Sequence, residues 1–379
     1  MNIDLTEDQE MVKELAAKFA TEQLKPQAAK FEENEKIPQE ILTELGSLGF
    51  MGMMVPEDLG GSGLDAVSYI LVIEEIAKAD ASTAVTVAVN NSLVCGIFLK
   101  FASDVQKRKF LPPLAKGERI GSFALTEPEA GTDAGNVQTT AVLDGDHYVL
   151  NGTKIFITNG GLAGTVLAFA STNKELKAKG LSCLVVEKGT PGFSVGSREK
   201  KMGMRAADVS ELIFEDCRVP KENLIGQEGD GLKIALTALD SGRISIAAQA
   251  VGIAEAAFQE ALQYSQKRQQ FGRPICKFQA IQFMLADMAT QIEAARLLTW
   301  RAAHLKDQGV KFSAEASMAK LYASEMANWV CSKAIQIHGG YGYMKDYAVE
   351  RYFRDARLTE IYEGTSEAQR MVIARGLLG

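Results

Sequence analysis

Paired cysteines are the first thing missing from this chain: Cys95, Cys183, Cys217, Cys276 and Cys331 stand far apart with no CxxC spacing. An odd, scattered set makes neither a disulfide framework nor a zinc site, and a reducing compartment is its simplest setting. Histidine is scarcer still. His147, His304 and His338 show no metal-ligand spacing, so no metal centre is expected. Dense basic runs are also missing, and a formal net charge of −7 argues against nucleic acid as a partner. The most basic stretch, "SREKKMGMR" (Ser197 to Arg205), is diluted by Glu199 and reads as a solvated loop. Neither GxGxxG after a strand nor GxxxxGK[ST] occurs, which leaves Rossmann and P-loop nucleotide sites unsupported. The opening "MNIDLTEDQEMVKELAAKFA" has no apolar signal core and no arginine-rich transit segment, so a cytoplasmic location is expected.

Charge is absent from Ala81 to Leu99, close to the roughly 20 apolar residues of a membrane span. Thr83, Thr86, Asn90, Asn91 and Ser92 interrupt that run, so a helix buried inside protein is predicted and no membrane is expected.

What is present is enough chain for two or three domains, 379 residues with 46% hydrophobic and 23% charged side chains. Thr6 and Gln9 make a capping box before apolar Val12, Leu15 and Phe19, and helical spacing continues to about residue 121. Residues 122–229 change texture. Asp144-Gly145 and Asn151-Gly152 sit between short β-branched and aromatic runs and read as hairpin turns, which predicts an antiparallel sheet. From residue 230 to 379 long helical patterns return, apolar around much of their circumference, as in a bundle or a subunit interface. The fold class is therefore α+β: helical domain, middle antiparallel β domain, C-terminal helical bundle.

"GFSVG" (Gly192 to Gly196) matches the GxSxG nucleophile elbow and raises a serine hydrolase as a rival. The charged "SREKKMGMR" that follows cannot be the buried helix such an elbow requires, so Ser194 is read as a strand residue.

Five other stretches fall in one order: "FALTEPEAGTD" (Phe123 to Asp133), "NGTKIFITNG" (Asn151 to Gly160), "RQQFGRPI" (Arg268 to Ile275), "QIHGGYGY" (Gln336 to Tyr343) and "YEGTSE" (Tyr362 to Glu367). In that order the chain resembles the acyl-CoA dehydrogenases over nearly its whole length, and "VNNSL" (Val89 to Leu93) and "LDSGR" (Leu239 to Arg243) resemble the short-chain, butyryl-CoA type. The resemblance implies FAD as cofactor, an acyl-CoA substrate of fatty acid β-oxidation, an electron-transfer flavoprotein as partner and a homotetramer. It implies that Phe123, Ala124, Leu125, Thr126, Gly131 and Thr132 wrap the FAD, Thr132 also touching the CoA portion. Phe156, Ile157 and Thr158 would line the flavin, Phe156 standing where many relatives have Trp and Thr158 near flavin N5. Arg268, Phe271, Gln279, Gln336, Ile337, His338, Gly339 and Gly340 would hold the adenosine diphosphate half, partly from a neighbouring subunit. Asp240, Ser241, Gly242, Arg243, Tyr362 and Gly364 would face the substrate, and Thr365, Ser366 and Glu367 the cofactor.

Independently of the resemblance, the arginine fork suits a pyrophosphate. Ser366 and Gln369 read as a capping box, which makes Gly364-Thr365-Ser366 the mouth of the last helix and a place for anionic groups. Dehydrogenating a thioester across Cα and Cβ needs a base at Cα, and a carboxylate in a dry site has its pKa raised toward that task. The resemblance places that base at the glutamate of YEGT, or in some relatives at the position of Gly242. Gly242 has no side chain, so Glu363 is the expected catalytic base, with the Cβ hydride passing to flavin N5. An acyl-CoA oxidase shares this half-reaction but is usually longer. Cyclic and branched acyl groups stay open.

Overall fold

The computed structural model describes residues 4–379; the first three residues of the N-terminal stretch read for targeting signals lie outside the described residues. The chain opens with α1 (Glu7–Phe19), and the expected capping box is formed, Thr6 and Gln9 each bonding the other's backbone N–H. Short α2 (Ala28–Glu33) and α3 (Gln39–Ser47) follow, then α4 (Ala66–Ala79), N-capped by Asp65. The uncharged run becomes one continuous helix, α5 (Ala81–Ala88), a π-helical segment Val89–Cys95 and α6 (Gly96–Phe101). It is long and apolar enough to cross a membrane, yet 78% of its most apolar window is buried within the protein. Its interrupting asparagines explain why. The Asn91 amide accepts from Met53 N at 2.8 Å and donates to Phe50 O at 2.9 Å, and Asn90 Oδ1 accepts from Gly121 N at 2.8 Å. These buried amides replace the water that the π-helical backbone and the adjoining loop would otherwise need.

After α7 (Asp104–Ala115) the chain enters β1 (Gly121–Ala124), β2 (Thr140–Asp144), β3 (His147–Thr158), β4 (Thr165–Ser171), β5 (Leu181–Glu187), β6 (Phe193–Arg198), β7 (Val209–Pro220) and β8 (Leu224–Ile225). The sheet order is β6-β7-β3-β2-β4-β5-β8, with β1 added beside β4. The sheet is mixed rather than wholly antiparallel, because β1 and β2 both pair with β4 in parallel. The chain leaves β1 through a long loop and the β2–β3 hairpin, then re-enters from the end at which it first arrived. Asp144-Gly145 does sit at that hairpin, with Asp144 opposite His147. Asn151-Gly152 does not turn. It lies in regular β3 opposite a bulge of β7, where Asn151 exchanges bonds with Asp216 at 2.8 and 3.1 Å. A Cβ on Gly152 would fall 2.4 Å from Thr139 Oγ1, so glycine here serves close backbone approach. Ser194 is an exposed residue of β6 paired with Ile213, which removes the nucleophile elbow. The basic loop is tied down locally, Lys201 Nζ donating to Ala207 O at 2.9 Å and Arg205 pairing with Glu35.

The second helical set is α8 (Gly231–Lys267), a small β9–β10 hairpin (Gln269–Gln270, Arg273–Pro274), α9 (Gln279–Asp307), α10 (Ser313–His338), α11 (Val349–Thr359) and α12 (Ser366–Leu378). From Gly242 to Ala254 every residue of α8 is buried, since α4, α9, α10 and α11 all pack on it. A helix buried on all sides needs small apolar residues, which is what its alanine-rich sequence supplies.

Candidate active site

Glu363 sits in the six-residue turn between α11 and α12 with φ +50°, followed by Gly364 at φ +95°. This left-handed backbone is sterically disfavoured for a residue with a Cβ. It points the side chain into the protein, where both carboxylate oxygens are shielded from solvent and accept no hydrogen bond. The carboxylate lies against Gly242 of α8: a Cβ there would be 1.9 Å from Glu363 Oε2 and 3.0 Å from Leu93 Cδ2. The two positions thus compete for one space. Burial pushes the Glu363 carboxyl up to about 7, against the pull of Lys320 and then Arg243. A carboxylate that is dry, unbonded and poised near neutral pH is equipped to accept a proton from carbon.

The surroundings are polar but engaged elsewhere. Arg243 donates to Asp240 at 2.6 Å, and Asp240 also takes the Ser313 hydroxyl. Arg243 Nε, however, is buried without a partner. The Tyr362 hydroxyl donates to Gln249, whose amide donates in turn to Ala81 O at 2.7 Å. Lys320 of α10, wholly buried, donates to Gly364 O at 2.7 Å. Nothing in the sequence pattern set Lys320 apart, since its reach to residue 364 exists only in the folded chain. Ser241 is half-buried on the same turn of α8. The expected Ser366–Gln369 capping box is not formed. The N-cap is Thr365, whose side chain accepts from Ala368 N at 3.3 Å. Gln369 is drawn inward instead, its amide donating to Gly364 O at 2.9 Å and Glu363 O at 3.3 Å. Ser366 Oγ and Gln369 Oε1 are left buried and unpaired, while Glu367 is exposed.

On the sheet, Ala124, Leu125 and Ile157 are buried, Phe123, Thr126 and Thr158 half-buried, and Gly131 and Thr132 exposed. Phe156 stands out, with φ +58° at the bulge of β3 and 60% of its surface exposed. A pair unmarked by sequence reasoning braces the two segments: Lys154 Nζ bonds Glu127 Oε1 at 2.7 Å and Leu125 O at 3.2 Å, fully buried. The ammonium holds the Glu127 carboxyl below the usual carboxylate range, against the opposing effect of burial. The signal for it was the alternation in "GTKIFIT", which puts Lys154 on the same face as buried Leu150. Lys154→Met should lower holoprotein stability by about 3–5 kcal/mol, because the buried Glu127 carboxylate keeps its bonds from Gln138 and Thr139 but loses its countercharge. Lys154→Met/Glu127→Gln should recover part of that loss. Denaturant unfolding that finds Lys154→Met as stable as wild type would remove the brace.

Arg268, the C-cap of α8, opens a separate cleft of about 480 Å³ with Ile337, His338, Gly339, Gly340 and Tyr341. Its guanidinium lies 5.4 Å from the Tyr341 ring centroid. His338 is spent on packing, with Nδ1 2.8 Å from Ala334 O and its ring 4.2 Å from Tyr264. Phe271 is 93% exposed, and Gln279 and Gln336 are exposed as well. Some 25 residues of α8 separate Arg243 from Arg268, about 38 Å at about 1.5 Å per residue. The structure therefore gathers Glu363, Gly242, Arg243 and Tyr362 in one place and Arg268, Ile337, His338, Gly339 and Gly340 in another.

These residues fit FAD, a long flat group with an anionic middle. Phe156 offers an exposed ring face, Ser366 Oγ and Gln369 Oε1 are buried polar atoms lacking partners, and Gly339 and Gly340 leave open space beside Arg268.

Comparison with known proteins gives three family matches in chain order: the acyl-CoA dehydrogenase N-terminal domain over residues 6–118, the middle domain over 122–217 and the C-terminal domain over 229–378. The short-chain specific acyl-CoA dehydrogenase of Clostridium acetobutylicum is 50% identical over 374 residues, covering 99% of each chain. The structure of butyryl-CoA dehydrogenase from Megasphaera elsdenii superposes with a TM-score of 0.99 at 48% identity over 100% of both chains. A chain in a structure of the electron transferring flavoprotein of Acidaminococcus fermentans matches with a TM-score of 0.99 at 52% identity, again over 100% of both.

Proposed function

The chain belongs to the acyl-CoA dehydrogenase family, FAD-dependent enzymes of fatty acid β-oxidation, and within it we propose a short-chain, butyryl-CoA-type dehydrogenase with Glu363 as the base. The observation that carries this reading is the Glu363 carboxylate, buried and unbonded in the space that Gly242 leaves open. Glu363 takes the Cα proton, and the C–H electron pair becomes the new Cα–Cβ double bond as the Cβ hydrogen leaves as hydride. FAD, when bound, supplies the acceptor for that hydride. The proton stays on a Glu363 oxygen, in a pocket that holds back water and so prevents competing protonation. Arg243 and Asp240, paired beside the base, suit the polar CoA end of the substrate. Leu93, packed at the base, suits a short acyl chain.

Phe123 to Thr126 and Phe156 to Thr158 would hold the flavin, with Thr132 at the CoA side. Ser366 and Gln369 would offer it their unpaired atoms. Arg268, with Gly339 and Gly340, would take the pyrophosphate. The 38 Å scale of the gap along α8 supports an adenosine half held by a second subunit, hence a homo-oligomer, with a tetramer as the specific expectation. The likeness to a chain in the Acidaminococcus fermentans structure supports an electron-transfer flavoprotein as the redox partner.

The test is anaerobic. Yellow purified protein should bleach on adding butyryl-CoA, with kcat/KM higher than for palmitoyl-CoA when an artificial acceptor is present. A colourless preparation that FAD cannot reconstitute would end the flavoenzyme reading. Faster turnover of the C16 substrate would end the short-chain one.

A further inference from the structure

Lysine is almost never fully buried without a countercharge, and Lys320 is fully buried with its hydrogen bond on a peptide carbonyl, Gly364 O at 2.7 Å. That carbonyl belongs to the residue following Glu363. Gln369 bonds the carbonyls of both Glu363 and Gly364, so the left-handed turn is tied to α12 by Gln369 and to α10 by Lys320.

The charges around Lys320 come from four parts of the chain. Glu363 lies on the turn, Arg243 on α8, Glu360 at the end of α11 and Glu367 on α12. Tyr69 of α4 and Tyr362 also sense the Glu363 charge. Glu360 is engaged by Arg357, and Glu367 is exposed to water, which screens it. The guanidinium of Arg243 is offset by Asp240 at 2.6 Å. The buried Lys320 ammonium and the buried Glu363 carboxylate are each the other's strongest charge partner, with Arg243 second for the carboxylate.

We propose that Lys320 is a positioning residue for this reaction: it pins the Gly364 carbonyl, holds the turn that aims Glu363 at Gly242, and gives the buried carboxylate its countercharge. The inference rests on Glu363 being the base. Its consequence is a pH window. Burial draws the Lys320 ammonium down to about 8, while Glu363 pulls it back up; the Glu363 carboxyl stands at about 7. The base works only when ionised, so flavin reduction rises as pH passes 7, and losing the Lys320 charge moves that rise to higher pH.

Three variants separate the roles. Lys320→Gln keeps an N–H donor for Gly364 O without charge, Lys320→Met removes both, and Lys320→Arg keeps the charge. In the holoenzyme, the protonated carboxyl stretch of Glu363 can be titrated by infrared difference spectroscopy, identified by its loss in Glu363→Gln. Lys320→Gln and Lys320→Met should move this titration, and the acid limb of flavin reduction, upward by about one pH unit or more. Lys320→Arg should stay near wild type. If Lys320→Met does not fold, Gln against Arg decides. An unmoved titration and acid limb in Lys320→Gln overturns the proposal, while loss of activity in Glu363→Gln leaves the base assignment intact. Normal flavin reduction in Glu363→Gln sinks both.

Discussion

Flavin reduction by acyl-CoA should fall by at least about 10²–10⁴-fold in Glu363→Gln, the range that general-base catalysis contributes. Glutamine matches glutamate in size but cannot take the Cα proton, and no exposed water reaches the two shielded oxygens to substitute. Acyl-CoA binding should change little, because the base acts mainly in the transition state. Stability adds a second readout whose sign follows from linkage. The folded carboxyl titrates near 7 against an ordinary value of 4.5. Between those limits the native state holds more protons than the unfolded one, so Glu363 makes stability fall as pH rises through the window. At pH 8 the native enzyme carries that full penalty, and Glu363→Gln, which cannot ionise, escapes it. The unfolding midpoint of Glu363→Gln should therefore rise relative to wild type at pH 8 and stay close to it at pH 5. Stopped-flow bleaching and thermal unfolding check the two arms, with Glu360→Gln, paired at the surface to Arg357, as a near-wild-type control. Rapid bleaching in Glu363→Gln would place the base elsewhere.

Gly242→Ala should slow flavin reduction by about 10²-fold, the scale expected when a reacting group is displaced by about 1 Å. Gly242 is in the interior of α8, where alanine is the better helix former by about 1 kcal/mol. On backbone grounds alone the change should stabilise the protein. The added methyl, however, would sit 1.9 Å from Glu363 Oε2 and 2.8 Å from its carboxyl carbon. Either the carboxylate swings out of line or α8 shifts against α10, and both misplace the base. The pairing of near-normal folding with a large kinetic loss is the diagnostic. If Gly242→Ala reduces its flavin at the normal rate, the carboxylate of the working enzyme does not rest against Gly242.

The α+β plan, the burial of Ala81 to Leu99 and the glutamate to be weighed as base were legible along the chain, and the cofactor type followed from the resemblance that its motifs carry. Each of these is local: a capping box, a run without charge, a glycine-bearing motif in order, or a side chain absent at Gly242. Tertiary structure alone decided which local signals were spent elsewhere. Asn151-Gly152 carries the same hairpin signature as Asp144-Gly145, but Asp216 on β7 captures Asn151 and draws it into a strand. Gln369 leaves a plausible capping box because the carbonyls of Glu363 and Gly364 are closer partners in the folded turn. β1 became a parallel strand because β4 returns from the same end. Strand alternation marked Lys154 as buried without showing its partner, and nothing marked Lys320, for one reason: a buried ammonium is defined by the carbonyls and carboxylates that close around it. Those partners, Glu127 for one and the Glu363–Gly364 turn for the other, lie far along the chain and meet the lysines only when it folds.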